Sequence, residues 1–473
     1  MLKRAILAVV LAFSTGRATA DDWMSLLKDD ALSEWRGSGG GESFQAKAGT
    51  LTVDGPGQIM YGSAEKPLDL TSFELRAEIF VKPGGRAGIA FHLSPVDPRG
   101  SGGLEIRIDN SYSLPVLGRT FLKTGSLVWL RPVVKSVVPD DKWFPLHLSV
   151  QGKRVLVRVA DQLVVDYHEP DKLDSGPRLR HGTIAIRGHG GDGPVLIRNL
   201  QVKPLPEEKT AMPGPPLDNI GRRMLRLRLQ GFPLVDFDVS LIERKLDDVL
   251  AYSRQTGPGA GVILPCGHGF PIGGDSLVRI NDKRAEVFLK AMQGKPAFVG
   301  MQAVGHDWRK QFSAKTIASF DYVVKDAVLI SEVQQGKGRP DEITDQHFVD
   351  EQVKTIEGIL DREPIDILAI PPYLPTAKDS DKLWTSEQMR RVVDALGRNG
   401  VALEINGRLS FPSPRFIKSA KKKDVKFAFG VGNDDPKNWD YCFRMIEECA
   451  LTPDDLWAPR PDGKKPIQVR KPK

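Results

Sequence analysis

The sequence predicts a multidomain protein of β plus α/β class: an N-terminal β-sandwich of the jelly-roll kind, then a C-terminal seven-stranded (βα) barrel. Three observations carry this prediction. Apolar residues alternate with period two up to about residue 204, and apolar runs alternate with helical patterns from about residue 220. Between them stands PLPEEKTAMPGPP (204–216), rich in Pro, Gly and charge. The 473 residues suit two or three domains, and 40% hydrophobic with 27% charged residues is the balance of a folded chain.

The chain opens with MLKRAILAVVLAFSTGRATA (1–20). Lys3 and Arg4 precede an apolar run from Ala5 to Phe13, and Ala18, Thr19 and Ala20 end it in a small-x-small pattern. Residues 1–20 therefore read as a signal peptide, and the mature protein as secreted or periplasmic. The run falls short of the roughly 20 apolar residues that a bilayer demands, and no later run reaches that length, so no transmembrane segment is expected.

Residues 21–204 form the expected sandwich, with strands at FELRAEIFV (73–81), AGIAFHL (87–93), LEIRI (104–108), FPLHLSV (144–150), RVLVRVA (154–160), GTIAIRG (182–188) and VLIRNLQV (195–202). Residues 205–219 are the linker. The barrel is expected over 220–457, with strands at LVDFDV (234–239), AGVILPC (260–266), AFVGMQAV (297–304), DYVVKDAVLI (321–330), IDILAI (365–370), VALEI (401–405) and VKFAFG (425–430). Helical stripes lie between them. Ile242, Leu246, Val249 and Leu250 make one in 241–252, and Val349, Val353, Ile356 and Leu360 another in 346–361. In 385–398 Met389, Val392, Val393 and Leu396 repeat the spacing, with Thr385 and Gln388 placed as a capping box. Such a barrel builds its site at the C-terminal ends of its strands.

The net charge of +7 is dilute over this length, and part of it sits in a basic tail (458–473) with few apolar residues. No aromatic-and-basic module stands elsewhere, so nucleic acid is not an expected partner. Cys266, Cys442 and Cys449 form neither a disulfide framework nor a zinc spacing and are expected as buried thiols.

Period two also sorts the polar residues of the sandwich. In LEIRID, Leu104, Ile106 and Ile108 point one way, while Glu105, Arg107 and Asp109 point the other. His92 is opposite in parity to Ile89, Phe91 and Leu93, and Arg187 and His189 are opposite to Ile184 and Ile186. On neighbouring strands these groups share a cleft. The competing reading is the solvated outer face of an antiparallel sheet.

The order of Trp35, LTVDGPG (51–57), FELRAEI (73–79), AGIAFHL, GGLEIRIDN (102–110), TGSLVWL (124–130) and GTIAIRGHGGDGPVLIRNLQVKPL (182–205) resembles the 3-keto-disaccharide hydrolase domain, a concanavalin-like jelly roll. The resemblance implies action on glycosides oxidised at C3. The ketone acidifies the C2 proton, a base removes it, the C1 substituent leaves, and water adds back. It casts Glu105, His92 and His189 as base or metal-ligand candidates, with Arg107 completing the catalytic set. Arg187, Arg198 and Asp109 fall to the substrate. Arg107 stands where the family commonly has Gln.

The second domain resembles the metal-dependent hydrolases of the polymerase-and-histidinol-phosphatase (PHP) kind, as found in environmental bacteria. The matching stretches are VDFDVS (235–240), GVILPCGHGFPI (261–272), FVGMQAVGHDW (298–308), FDYVVKDA (320–327), EPIDILAIPPYLP (363–375), ALEINGR (402–408) and VKFAFGVGNDD (425–435). That family opens with Asp-x-His-x-His, and this chain has Asp236, Asp238 and Ser240 there. Asp238, Glu404 and His268 remain as candidate ligands for one divalent metal, short of the dense cluster that a multinuclear site needs.

Three functions follow. The first is a secreted carbohydrate-active hydrolase or lyase working through the sandwich, with the barrel as partner. The second is a saccharide-binding protein without catalysis. The third, a PHP-type phosphoesterase, is opposed by the missing His-x-His. Convergence of His92, Glu105 and His189 in one cleft separates the first from the second.

Overall fold

The computed structural model describes residues 23–37, 41–63, 66–94, 102–111, 121–173, 175–207, 212–242, 244–266, 280–305, 308–327, 345–370, 383–432 and 435–459. The expected signal peptide, most of the basic tail and His268 lie outside them. Among the described residues, no helix is long and apolar enough to cross a membrane.

The first domain holds β1 (Met24–Ser25), β2 (Trp35–Gly37), β3 (Phe44–Lys47), β4 (Thr50–Val53), β5 (Pro56–Tyr61), β6 (Phe73–Val81), β7 (Ala87–Leu93), β8 (Leu104–Ile108), β9 (Trp143–Gln151), β10 (Arg154–Val159), β11 (Gln162–His168), β12 (Thr183–His189) and β13 (Val195–Pro204). They form two antiparallel sheets. One runs β11-β10-β9-β6-β13-β4-β3, with β1 on β13, and the other runs β2-β5-β12-β7-β8. Every second residue of β6 from Phe73 to Val81 is buried, as alternation requires. The core lies between the sheets, where Leu75, Ile79 and Leu148 join Ile89, Ile106 and Ile186 in one cluster. The face of the five-stranded sheet that carries Glu105 and Arg107 is therefore the outer one.

The second domain is a closed barrel of β14 (Val235–Ser240), β15 (Gly259–Cys266), β16 (Phe298–Ala303), β17 (Tyr322–Asp326), β18 (Ile367–Ala369), β19 (Ala402–Asn406) and β20 (Phe427–Gly430), all parallel. Its helices are α1 (Asn219–Leu229), α2 (Leu246–Thr256), α3 (Asp282–Met292), α4 (Ala314–Ala318), α5 (Asp345–Arg362), α6 (Ser386–Asn399), α7 (Pro414–Lys421) and α8 (Trp439–Glu448). Thr385 and Gln388 cap α6 reciprocally, and Gly400 ends it in the left-handed region. The expected helix at 241–252 starts late, at Leu246. Its would-be first stripe residue, Ile242, is 46% exposed, because Ser240 Oγ accepts the Ile242 N–H and makes a turn there.

Aromatic rings fill the barrel. Tyr322 packs on Phe237 with centroids 5.3 Å apart and donates its hydroxyl to Phe237 O at 2.8 Å. Gly261 and Gly300 make room for that ring, since a Cβ at Gly300 would lie 2.3 Å from Tyr322 Cζ. The floor, where the strands begin, is closed partly by the sandwich: Phe121 and Val134, from the long β8–β9 connection, join Val235 and Phe298 in one buried cluster.

Candidate active site

The site lies on the outer face of the five-stranded sheet. Register sets Gln58 (β5), Arg187 (β12), Gly88 (β7) and Arg107 (β8) side by side in one row. The next row holds Met60, Ala185, Ala90 and Glu105. Small residues at Gly88, Ala90 and Ala185 make a low floor, and larger side chains stand at its edges.

Glu105 leans across that floor. Its Oε1 accepts from His189 Nε2 at 2.8 Å and pairs with Arg107 Nη2 at 3.3 Å, while Oε2 accepts from Arg187 Nη1 at 3.1 Å. Gln58 Oε1 holds Arg187 Nε at 2.7 Å. Burial alone would raise the Glu105 pKa. The His189 hydrogen bond and the charges of Arg107, His189 and Arg187 outweigh it and hold the group at about 2. Side-chain exposure falls from 28% at His189 through 24% at Arg187 and 15% at Arg107 to 8% at Glu105, so His189 is the member best placed to meet a ligand. With Nε2–H donated to Glu105, the neutral ring carries its lone pair on Nδ1.

Asp109 borders this group and takes Lys123 Nζ at 3.3 Å, with Lys123 only 2% exposed. Burial raises the Asp109 pKa against the opposing pull of Lys123. Gln58, Gly88 and Lys123 were missed in the sequence. Parity against Ile59 and Tyr61 on its own strand was available for Gln58, whereas Lys123 lies on a connection without period.

His92 does not join the cluster. The β7–β12 pairing shifts register between Thr183 and Ala185, so three steps along β7 match two along β12. His92 sits at φ 58° in that bulge, and the alternation that would have turned it outward is lost. Its ring packs edge-on against Phe91 and Phe73, at 5.2 and 5.8 Å between centroids. Arg180 N–H donates to Nδ1 at 3.2 Å, so Nε2 carries the proton and donates to Thr71 O at 3.0 Å. Burial lowers its pKa to about 4. Both nitrogens are committed to backbone, which is a structural role.

Arg198 is also elsewhere. β13 belongs to the other sheet, so its outward parity sends Arg198 to the opposite side of the sandwich. There Nε donates to Glu78 Oε2 at 2.5 Å, and the guanidinium lies 4.1 Å over the Trp143 ring.

In the barrel, a register shift between Asp236 and Val239 interrupts the alternation of β14 just where Asp238 stands. The charge of Asp238 reaches Glu404 of β19. Burial first, then Asp238 and Asp326, push the Glu404 carboxyl well above its usual range. Glu404 lies over Gly430, where a Cβ would sit 1.6 Å from Oε1. Burial raises Asp326 to about 6, against Lys325, the Gln302 bond and Arg408. Asp236 is a brace, its Oδ1 accepting from Asp238 N–H at 3.0 Å and Val431 N–H at 2.9 Å. Among the described residues no group of three or more His, Cys, Asp and Glu could hold a metal ion, in the barrel or beside His189 and Glu105. The donors described thus do not fit a multinuclear centre. Cys266, Cys442 and Cys449 are buried and unbridged.

Residues 22–203 match the family of 3-keto-alpha-glucoside-1,2-lyase-like domains. No curated protein matches the chain. Among solved structures, a candidate glycosyl hydrolase from Parabacteroides distasonis aligns at 18% identity over 39% of this chain and 99% of its own, with a TM-score of 0.31. A carbohydrate-binding module from Bacillus subtilis aligns at 17% identity over 36% of this chain and 95% of its own, with a TM-score of 0.25. A histidinol phosphate phosphatase from Lactococcus lactis subsp. lactis aligns at 12% identity over 46% of this chain and 95% of its own, with a TM-score of 0.36.

Proposed function

We propose that the sandwich is the working part of an exported carbohydrate-active enzyme and cleaves glycosides oxidised at C3. The observation that carries this reading is the buried Glu105 carboxylate, bonded at once to His189, Arg187 and Arg107 above a floor of small residues. The family match over residues 22–203 supports the substrate class.

The roles follow from the bonding. A carboxylate at about 2 is too weak a base to take a C2 proton near neutral pH. Glu105 is a positioning residue that fixes the His189 tautomer, and His189 Nδ1 accepts the proton. The C2–H electrons move into an enolate on the C3 oxygen, beside the charges of Arg107 and Arg187. As the enolate collapses, its electrons form a C1=C2 bond, the C1–O bond breaks, and the substituent leaves with the C1–O electron pair and takes the proton held on His189 Nδ1. Water then adds at C1, gives a proton to His189, and C2 takes that proton back, which restores the 3-keto sugar with a free C1 hydroxyl.

Two observations favour a saccharide-binding module instead: Glu105 is fully engaged by its partners, and His92 stands apart, so of the three groups whose convergence distinguishes the enzyme only Glu105 and His189 meet. Turnover of a 3-keto-glucoside by wild type and by His189→Gln, with calorimetric binding alongside, separates the two. Turnover lost in the variant while binding remains supports the enzyme. Binding without turnover in wild type supports the module. We read the barrel as a partner domain without a loaded metal centre, because Asp238 and Ser240 stand where a PHP hydrolase carries two histidines.

A further inference from the structure

We propose that the floor of the barrel is the mount of strand β8, which makes the barrel a positioning domain for the sandwich site; the proposal rests on the reading of that site given above. β8 is the edge strand of its sheet, and it carries Glu105 and Arg107. An edge strand has one row of backbone groups without a neighbouring strand. Here residues 124–128 take that place. Arg107 N–H donates to Ser126 O at 2.9 Å, Gly125 N–H to Arg107 O at 2.9 Å and Val128 N–H to Glu105 O at 2.9 Å. The Asp109 N–H donates to Thr124 Oγ1 at 2.9 Å.

The far side of the same segment is fixed to the barrel. Arg228 of α1, 3% exposed, donates Nη1 to Leu130 O at 3.0 Å and Nη2 to Thr256 O at 2.8 Å. Val134 lies over Gly259, where a Cβ would come within 2.4 Å of Val134 Cγ1. The Phe121 ring packs on Phe298 at 5.7 Å, and Lys135 Nζ bonds Asp321 Oδ2 at 2.5 Å. Gly259 and Phe298 are the first residues of β15 and β16, and Asp321 directly precedes β17. The contacts of Val134, Phe121 and Lys135 are thus at the N-terminal ends of the strands, and Thr256, held by Arg228, ends the helix that leads into β15. Asp238, Asp326 and Glu404 lie at or near the opposite ends. Between the Glu105 backbone and the barrel floor, then, stands one compact segment that is bonded on both sides. Interiors packed to this density transmit displacement rather than absorb it.

The test uses the full chain with substitutions on the barrel side only, none of which touches β8. Phe298→Ala and Arg228→Met loosen the floor; Ile417→Ala, in α7 and fully buried, destabilises the barrel away from it. Amide exchange is followed by mass spectrometry over peptides spanning 104–110, with turnover of a 3-keto-glucoside beside it. The expected result is exchange at 104–110 faster by about tenfold in both floor variants. In both, kcat falls while KM and the pH profile hold, and in Ile417→Ala exchange at 104–110 stays at the wild-type rate. If the two larger changes prevent folding, Asp321→Asn, which weakens the pair with Lys135 from the barrel side, gives the same readout on a milder scale. Unchanged protection at 104–110 in folded floor variants overturns the proposal, as does an equal rise in Ile417→Ala. Should exchange respond while wild type itself turns over no 3-keto-glucoside, the mount stands and the enzymatic reading falls.

Discussion

Gly88 and Glu105 occupy one another's space: a Cβ on Gly88 would lie 2.4 Å from Glu105 Oε1 and 2.7 Å from its Cδ. Gly88 has no positive φ to explain it. Its value is the missing side chain, which lets the carboxylate of an edge strand cross β7 and reach Arg187 and His189 on β12. Gly88→Ala should therefore displace Glu105 without adding or removing charge. We expect turnover to fall about as far as in Glu105→Gln, with stability lower by about 1–3 kcal/mol from overpacking. Thermal melts and steady-state kinetics on the two variants check this. Full activity in a folded Gly88→Ala chain would mean that the carboxylate works from another position.

Glu105→Gln keeps the shape and removes the charge. Loss of an oriented base is expected to cost about a hundredfold or more in turnover of a 3-keto-glycoside. The variant should also lose an acid-dependent part of stability. The folded pKa, about 2, is below the ordinary 4.5, so the carboxylate stabilises the fold above about pH 5, and that contribution disappears as pH falls toward 2. The wild-type minus variant difference in unfolding free energy should shrink across that window. An unchanged rate in the variant would remove Glu105 from the mechanism.

His92 titrates in the other register. Its folded pKa of about 4 lies below the ordinary 6.5, so the unfolded chain binds the proton first. Stability is complete above about pH 6.5 and declines as pH falls to 4, by an amount on the order of 3 kcal/mol for an isolated buried ring. His92→Gln should flatten that part of the stability curve and leave the pH profile of turnover where it was. A shifted turnover profile in the variant would return His92 to the chemistry.

The difference between His92 and His189 shows what the sequence could convey. Strand positions, the switch of rhythm at the linker and the face shared by Glu105, Arg107 and Arg187 all follow from side-chain period, which is local. The seven barrel strands fall within a few residues of their expected places for the same reason. A bulge adds a residue without changing composition, so the parity that placed His92 beside Glu105 failed invisibly. Arg198 failed for a different cause. The resemblance assigned it to the substrate, but which sheet β13 joins is a pairing between distant segments. Lys123 and the floor contacts of Phe121 and Val134 sit on an aperiodic connection, where no spacing marks them.

The barrel gives the last prediction. Asp238, Asp326 and Glu404 share its C-terminal end, and their mutual repulsion with burial raises Glu404 well above the usual range. A divalent cation would relieve that repulsion, yet the described residues offer no third donor within reach of any pair, and Ser240 is committed to a turn. A transition metal held by so few protein ligands binds weakly and exchanges with buffer. Elemental analysis of protein purified without chelator should therefore find fewer than two transition-metal ions per chain. Asp238→Ala and Glu404→Ala should leave that content unchanged. The Glu404 variant should even gain stability near neutral pH, because it removes a buried acid that its neighbours oppose. Two or more ions per chain, lost on either substitution, would show instead that residues outside the described ones complete a metalloenzyme centre, and would move the chemistry from the sandwich to the barrel.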